Sequence, residues 1–256
     1  MQWGRDLADD GGGSRAAAAA GTVLAVSTGP VIAAGRDAEL VDLGGGRVLR
    51  RPRRPRPLDR EAALMRHVHA AGYPVPEVLD VRPDGIVMRR VDGPTMLDDL
   101  AARPWRVRRH ARTLAALHDD LHAIPATQDL RPAFGQPTAP DDVVVHGDLH
   151  PDNVLLTALG PVVIDWANGG RGPAGADVAD VWLLLSSARP PVSGPLKRAL
   201  VALLRARFLA TFLGHTDRGD AARHLPMAVE RRLADPNLTP AETASMRRVV
   251  RAHAAR

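Results

Sequence analysis

Two apolar runs, separated by a short polar loop, constrain the fold of this chain more than any other feature. The first run is V-V-V at residues 143–145, the second is V-L-L at residues 154–156, and the loop between them reads H-G-D-L-H-P-D-N. Aliphatic runs of this length favour buried strands, whereas glycine, proline, aspartate and asparagine favour turns. A third apolar run, at residues 162–164, ends at Asp165. We therefore predict a hairpin that returns Asp165 towards the polar loop.

Length and composition are typical of a folded globular protein. The 256 residues suffice for one large domain or two modest lobes, and 45% of them are hydrophobic. The chain has no cysteine, which excludes disulfides, thiolate metal sites and a cysteine nucleophile. Its net charge of +5 comes from arginine, because Lys197 is the only lysine. A basic balance suits anionic partners such as nucleotides.

The start of the chain does not predict a targeting segment. The mildly apolar stretch 16–34 is interrupted by glycine, serine, threonine and proline, and Asp6, Asp9 and Asp10 precede it. These features suit neither a signal peptide nor a membrane span. We expect a cytoplasmic protein without membrane contact, and a flexible tail at residues 1–21.

The next part of the chain predicts a small sheet with one helix. Short apolar runs alternate with turns rich in glycine or proline, and one amphipathic stretch has proline and aspartate near its start and glycine after its end. The predicted strands are residues 31–37, 40–42, 48–50, 78–81 and 86–88, and the predicted helix is residues 57–71. An Asp-Gly-Pro sequence marks residues 89–95 as a linker.

After this linker the pattern becomes mainly helical. The predicted helices are residues 105–124, 176–187, 196–212 and 239–253, and the turn of the opening hairpin is placed at Gly160-Pro161. The predicted fold class is therefore α+β. It comprises a small β-rich lobe over residues 22–91 and a larger, mainly helical lobe over residues 92–256.

The polar loop and the hairpin that follows it carry the groups that phosphoryl transfer requires. Asp148 can accept the proton of a hydroxyl group that attacks phosphorus. Asn153 and Asp165 offer oxygen ligands, which Mg²⁺ prefers together with substrate phosphates. A base and two candidate metal ligands at these intervals indicate a phosphotransferase site.

These residues also match a known family. His146 to Asn153 resembles the H-G-D-x-x-x-x-N signature of the aminoglycoside phosphotransferase/choline kinase-like family, and Ile164-Asp165-Trp166 is similar to its I-D-[WFL] metal-binding element. The resemblance extends over most of the chain from about residue 31. It implies a two-lobed protein-kinase-like fold and transfer of the γ-phosphoryl group of Mg·ATP, or of GTP, to a small-molecule alcohol. It also implies Asp148 as base and Asn153 and Asp165 as Mg²⁺ ligands.

The resemblance implies roles for residues outside the signature as well. Gly35 would belong to the loop that covers the nucleotide phosphates, and main-chain groups of Arg89 and Val91 would bind the adenine. His146 would pack beneath the catalytic loop, and Asp177 would brace that loop from the following helix.

One position departs from the family pattern. The family's phosphate-binding lysine has no counterpart, because Lys197 lies far downstream; the aligned residue is Arg50, with Glu61 as its helix partner. Arginine binds phosphates bidentately and keeps its charge, but its geometry differs from that of lysine. A catalytically impaired pseudokinase, or a nucleotide-binding regulator, therefore remains an alternative.

A metallohydrolase is the rival enzyme class. His146, Asp148 and His150 have the alternating spacing that would place three zinc ligands on one face of a strand. However, Gly147 and Pro151 interrupt such a strand, so the kinase is favoured.

The distribution of arginine along the chain indicates which kinds of molecule the protein would bind. The arginine-rich run 47–56 has no interleaved aromatic residue, so an exposed loop is favoured over a nucleic-acid surface. The chain is net basic from Arg171 onward, which favours a neutral or anionic alcohol over a polycationic aminoglycoside as acceptor.

Overall fold

The computed structural model of the chain describes residues 29–35, 38–137, 139–187, 193–234 and 240–254. The tail expected at residues 1–21 lies outside these ranges. The first elements along the chain are β1 Val31–Ala34, β2 Ala38–Gly44, β3 Arg47–Pro52, α1 Asp59–Ala70, β4 Val78–Arg82 and β5 Gly85–Arg89. The later elements are α2 Met96–Ala102, α3 Val107–His122, β6 Val143–Val145, β7 Val154–Thr157, β8 Gly160–Val163, β9 Gly170–Gly172, α4 Ala174–Ser187, α5 Pro195–Leu213, α6 Arg218–Leu233 and α7 Pro240–Ala254.

The first five strands form one antiparallel sheet in the order β1-β2-β3-β5-β4. Strand β3 is central, and its Arg50 pairs with Leu40 of β2 on one side and Ile86 of β5 on the other. Helix α1 buries Leu64 and Met65 in the core. The central strand thus carries a buried charged residue, Arg50, with a paired strand on either side.

The linker after β5 packs closely on the hairpin formed by β7 and β8. The amide of Leu156 donates to the carbonyl of Pro94 at 2.9 Å. A Cβ atom on Gly93 would lie only 2.4 Å from the carbonyl oxygen of Leu156, so a larger residue would push the linker away. This contact fixes the small sheet relative to the hairpin that carries Asn153 and Asp165.

One hydrophobic core joins the sheet to the helical part of the chain. Val48 and Met88 of the sheet belong to the same buried cluster as Trp166, Leu183 and Phe212. Helix α4 lies at the centre of the helical part and is buried along most of its length. Among the described residues, no single helix combines the length and apolarity that crossing a membrane needs, although α5 and α6, bent by 116°, pass that test as a pair.

Most of the predicted elements are confirmed. The structure contains both predicted hairpins of the sheet, the helix between them and a helix in each of the four later predicted regions. The turn of the second-lobe hairpin lies at residues 158–159, so the predicted turn at Gly160-Pro161 is two residues too late. The run 47–56 is not simply an exposed loop, since residues 47–52 form β3 and only 7% of Arg50 is exposed.

Two helices were not predicted. Helix α2 begins at a capping box in which Thr95 and Asp98 exchange side-chain-to-main-chain hydrogen bonds, a signal present in the sequence. Helix α6 is capped at its start by Asp217, whose side chain accepts from the amide of Asp220 at 2.9 Å, but the helix contains Pro226. Because proline disfavours helix interiors, the local pattern obscured this helix, which carries part of the site described below.

Candidate active site

The loop between β6 and β7 is held from beneath by Asp177 of α4. This carboxylate is fully buried and accepts from the main-chain amides of His146 at 3.1 Å and Gly147 at 2.7 Å. Burial alone would raise the pKa of Asp177, but the hydrogen bond from His122 and the electrostatic interactions with the surrounding histidine rings outweigh it and hold the pKa well below its usual range. The predicted brace is therefore ionised.

His146 packs under the loop and does not face the cleft. Its side chain is fully buried, its Nε2 lies 3.1 Å from the carbonyl oxygen of Ile164, and its ring lies 4.7 Å from that of Trp166. Burial lowers its pKa, so the ring is neutral and Nε2 donates to that carbonyl. His146 thus ties the loop to the end of β8.

Asp148 has the accessibility and charge of a general base. Its side chain is 26% exposed, its Oδ1 accepts from Nη2 of Arg232 at 2.9 Å, and its Oδ2 lies 3.6 Å from Nε2 of His150. Burial alone would raise the pKa of Asp148, but the interaction with His150, followed by the charge of Arg232, lowers it to about 2. The carboxylate is ionised at neutral pH and can accept a proton.

Asn153 and Asp165 present oxygen atoms to one cleft. The amide nitrogen of Asn153 donates to the main-chain carbonyl of Asp148 at 2.8 Å, which leaves the amide oxygen for a cation. Asp165 has a left-handed backbone, with φ 64° and ψ 65°, and its side chain is 42% exposed. Such a conformation is costly for a residue other than glycine and is typical of functional sites. This pair of hard oxygen donors suits Mg²⁺.

Arg50 bridges the helix and the candidate metal site. Its Nη1 lies 2.9 Å from Oε1 of Glu61, and its Nη2 donates to Oδ1 of Asp165 at 2.5 Å. Arg50 and Glu61 are almost completely buried. The structure therefore brings together the predicted arginine-glutamate pair, and Arg56, which the sequence did not suggest, donates to the other oxygen of Glu61.

These groups surround a cleft of about 280 Å³ between the sheet and the β7–β8 hairpin. The amide of Arg89 donates to the carbonyl of Glu77 at 2.9 Å. The main-chain group of Arg89 that remains for a nucleobase is therefore its carbonyl. Gly35 donates to the carbonyl of Ala38. The predicted site residues that line the cleft are Gly35, Arg50, Glu61, Arg89, Val91, Asn153 and Asp165.

The zinc set considered for a metallohydrolase is not assembled. Nε2 of His146 instead lies 3.1 Å from the carbonyl oxygen of Ile164. Among the described residues, the one group of three or more histidine, aspartate or glutamate side chains that lie close enough to share a metal ion is His118, His122 and Asp177. Both oxygens of Asp177 already accept main-chain amides, so this group serves the loop.

A second residue at the site, besides Arg56, was not assigned a role from the sequence. Arg232, on the unpredicted helix α6, contacts Asp148 and also binds Asp180 of α4 through Nε at 2.8 Å. The sequence showed only that this part of the chain is basic. Nothing in the local pattern indicated that 84 residues of chain would return Arg232 to the base.

Comparison with known proteins identifies the family. The sequence profile of the phosphotransferase enzyme family, APH, matches residues 28–140 and 127–219, which together span most of the chain. No curated protein matches the sequence at a significant level.

Solved structures share the fold. A choline/ethanolamine kinase family protein from Mesorhizobium loti superposes with a TM-score of 0.56 at 20% identity, over 93% of this chain and 91% of that one. The streptomycin–ATP complex of APH(2″)-IIa gives a TM-score of 0.54 at 13% identity, over 81% and 84% of the two chains. ADP-bound APH(2″)-Ib gives 0.52 at 13% identity, over 86% and 90%. With its kinase-like α+β fold and a matching profile over most of its length, the chain belongs to the phosphotransferase enzyme family.

Proposed function

We propose that this protein transfers the γ-phosphoryl group of Mg·ATP to a hydroxyl group of a small-molecule acceptor. The observation that carries the proposal is the position of Asp148, an ionised and partly exposed carboxylate whose loop also presents Asn153 to the cleft. Residues 22–91 would form the nucleotide-binding lobe and residues 92–256 the lobe that holds the acceptor. A cytoplasmic location would supply the nucleotide.

The cleft suits a nucleotide at both of its ends. At one end the carbonyl of Arg89 and the amide of Val91 would bind the adenine, which would lie against the side chains of Val48 and Met88 on one face of the sheet. At the other end Arg50, held by Glu61, would bind the phosphates, since a guanidinium group can bind phosphate oxygens bidentately. ATP and ADP in the related structures named above support this use of the cleft.

Asn153 and Asp165 would hold Mg²⁺. When bound, the ion supplies positive charge that neutralises the phosphate oxygens as negative charge develops on them. In the described part of the chain no hydrogen bond uses Oδ2 of Asp165, so this oxygen remains for the cation even while Oδ1 contacts Arg50.

Asp148 would act on the acceptor. The hydroxyl oxygen of the acceptor attacks the γ-phosphorus, and its proton passes to the Asp148 carboxylate. The bond between the γ-phosphorus and the β–γ bridging oxygen breaks, and ADP leaves with the electron pair. Because phosphoryl transfer needs little covalent help from the protein, most of the rate enhancement would come from positioning and charge neutralisation.

An impaired kinase that serves as a nucleotide-binding regulator is the second candidate. The contact between Arg50 and Asp165 favours it, because the group that would bind phosphates and a group that would bind the metal are engaged with each other. Such a protein would bind nucleotide without transferring phosphate.

A transfer screen with two nucleotides distinguishes these candidates. Purified protein is incubated with Mg²⁺ and γ-labelled ATP or GTP against alcohols, sugars, amino alcohols and aminoglycosides, and thermal stability is followed in parallel. For a kinase we expect Mg²⁺-dependent stabilisation by ATP and a labelled product, both reduced in Asp165→Asn. Stabilisation without product supports the regulator, and the absence of Mg²⁺-dependent stabilisation overturns the nucleotide site.

A further inference from the structure

Helix α6 brings two adjacent arginines to the catalytic loop. Arg232 donates through Nη2 to Oδ1 of Asp148 at 2.9 Å. Arg231 lies beside the preceding residue, since its Nη2 is 3.2 Å from the position that a Cβ atom on Gly147 would occupy. Both guanidinium groups therefore lie beside the loop whose Asp148 an acceptor hydroxyl would have to reach.

A single buried carboxylate anchors the pair. Asp180 is fully buried and accepts from Nη1 of Arg231 at 3.0 Å and from Nε and Nη2 of Arg232 at 2.8 and 2.5 Å. The guanidinium group of Arg231 also lies 5.2 Å from the ring centre of Phe134. Bidentate pairing of this kind fixes the guanidinium groups in orientation, and both side chains keep some exposure, 20% for Arg231 and 16% for Arg232.

The positive charges of this cluster exceed the negative charges during transfer. In the resting protein Asp148 and Asp180 balance Arg231 and Arg232, but Asp148 would lose its charge when it takes the proton of the acceptor hydroxyl, which leaves Asp180 to balance both arginines. Burial alone would lower the pKa of Arg232, but Asp180 and Asp148 outweigh it and raise that pKa, so the group stays charged. Arg131 adds to the excess: burial, followed by the charge of Arg231, lowers its pKa.

We infer that the acceptor is an anionic alcohol, whose carboxylate or phosphate group is bound by Arg231 and Arg232 while its hydroxyl group reaches Asp148. This inference rests on the proposed phosphotransferase function and adds the substrate class. Within the described residues no hydrogen bond uses Nη2 of Arg231 or Nη1 of Arg232. These groups would donate to oxyanion oxygens, whereas an ammonium group would meet like charge at the same place. Arg232 is accordingly a specificity-determining residue as well as a neighbour of the base.

A matched series of acceptors tests the inference. Gluconate, sorbitol 6-phosphate, sorbitol and glucamine share one carbon skeleton and carry a carboxylate, a phosphate, no charge and an ammonium group. Their affinities are measured by calorimetry in the presence of Mg²⁺ and a non-hydrolysable ATP analogue, and their transfer rates with ATP. We expect at least one anionic compound to have an affinity about tenfold higher than those of sorbitol and glucamine. The anion with the higher affinity distinguishes a carboxylate acceptor from a phosphate acceptor.

Variants on α6 locate the preference. Arg231→Gln should reduce the preference for anions while Arg232 still pairs with Asp180. Arg232→Lys keeps the charge but loses the bidentate geometry, so it should reduce the same preference without leaving Asp180 unpaired. Arg223→Gln is the control, because Arg223 is on the same helix but 70% exposed. Three outcomes overturn the inference. They are a preference for glucamine, equal binding of all four compounds or binding of none, and an anion preference that is undiminished in both variants.

Nucleotide binding separates this failure from failure of the proposed function. If Mg²⁺-dependent stabilisation by ATP is present and the acceptor preference is absent or reversed, the anionic acceptor is wrong and the nucleotide site stands. If the stabilisation is absent as well, the phosphotransferase proposal fails with it.

Discussion

Nη2 of Arg50 and Oδ1 of Asp165 lie 2.5 Å apart, joining the central strand of the sheet to the end of the β7–β8 hairpin. Glu61 holds the other side of the same guanidinium group at 2.9 Å. The arginine thus stands between its helix partner and a candidate metal ligand. If Mg·ATP binds as proposed, its phosphates would offer Arg50 a new partner, and the contact with Asp165 would be exchanged for one with them.

Replacement of Arg50 should therefore weaken nucleotide binding. Arg50→Met removes charge-assisted hydrogen bonds to phosphate, which are worth enough to raise the KM for ATP by about 10- to 100-fold. Arg50→Lys should lose less, because it keeps the charge. Steady-state kinetics against ATP concentration measures both, with Arg47→Met, an exposed arginine on the same strand, as the control. An unchanged KM in Arg50→Met would show that the phosphates bind elsewhere.

The brace beneath the catalytic loop should be costly to alter. In Asp177→Asn the amide group cannot accept from both the His146 and Gly147 amides in the manner of a carboxylate, so one buried donor loses its partner. We expect a fall of about 2–4 kcal/mol in the free energy of unfolding, measured by urea denaturation. Asp80→Asn, which alters an exposed residue of β4, should lower the free energy of unfolding much less. Equal effects of the two substitutions would contradict the role given to Asp177.

Buried histidines should make the fold sensitive to mild acid. Burial lowers the pKa of His118 to about 4 and lowers that of His146 as well. Both are neutral in the native state, whereas the unfolded chain protonates them below about pH 6.5. The unfolded state then binds more protons, so stability falls as the pH drops from about 6.5 to about 4, by about 3 kcal/mol for His118 alone.

Urea unfolding between pH 7.5 and pH 4.5 measures this loss. Carboxylates of the unfolded chain begin to take up protons below about pH 5. The slope between pH 7.5 and about pH 5 therefore reports the histidines, and below that Asp177, with its lowered pKa, adds to the loss. His118→Gln should flatten part of the slope. A free energy of unfolding that stays constant over the window would mean that these histidines titrate alike in the folded and unfolded states.

Gly147 should tolerate no side chain. Its φ of +72° is strained for other residues, and a Cβ atom would lie 2.9 Å from the carbonyl oxygen of Asn168. Gly147→Ala should lower stability by about 1–3 kcal/mol and displace Asp148 enough to reduce kcat. Gly46 has a similar φ of +69° with open space around it, so Gly46→Ala tests the backbone strain alone. Similar kcat values in the two variants would argue against a tight loop.

The sequence predicted the parts of the site that lie close together along the chain. Asp148 and Asn153 occupy one loop, and a hairpin of aliphatic residues returns Asp165 to it, so strand periodicity and turn chemistry sufficed. The pairing of Arg50 with Glu61 followed from the family resemblance together with the absence of another lysine in the chain. These residues do meet in the structure.

The contribution of α6 could not be predicted in the same way. Pro226 interrupts the helical signal, and the tertiary packing of α6 against α4 decides that Arg232 reaches Asp148. Asp180 resembled any acid on a helix until its burial between two arginines was known. Charge counting indicated a basic lobe, but only the three-dimensional fold places that charge at the base.

The role of Asp148 as general base is tested most directly by the kinetics of Asp148→Asn. The amide keeps the size of the side chain but accepts a proton far less readily. We predict a fall in kcat of about 10²- to 10⁴-fold. The affinity for Mg·ATP, measured through thermal stabilisation, should stay within about threefold of the wild-type value because Asp148 does not line the proposed nucleotide cleft. A variant that transfers phosphate to its best acceptor at the wild-type rate would contradict the assignment of the base.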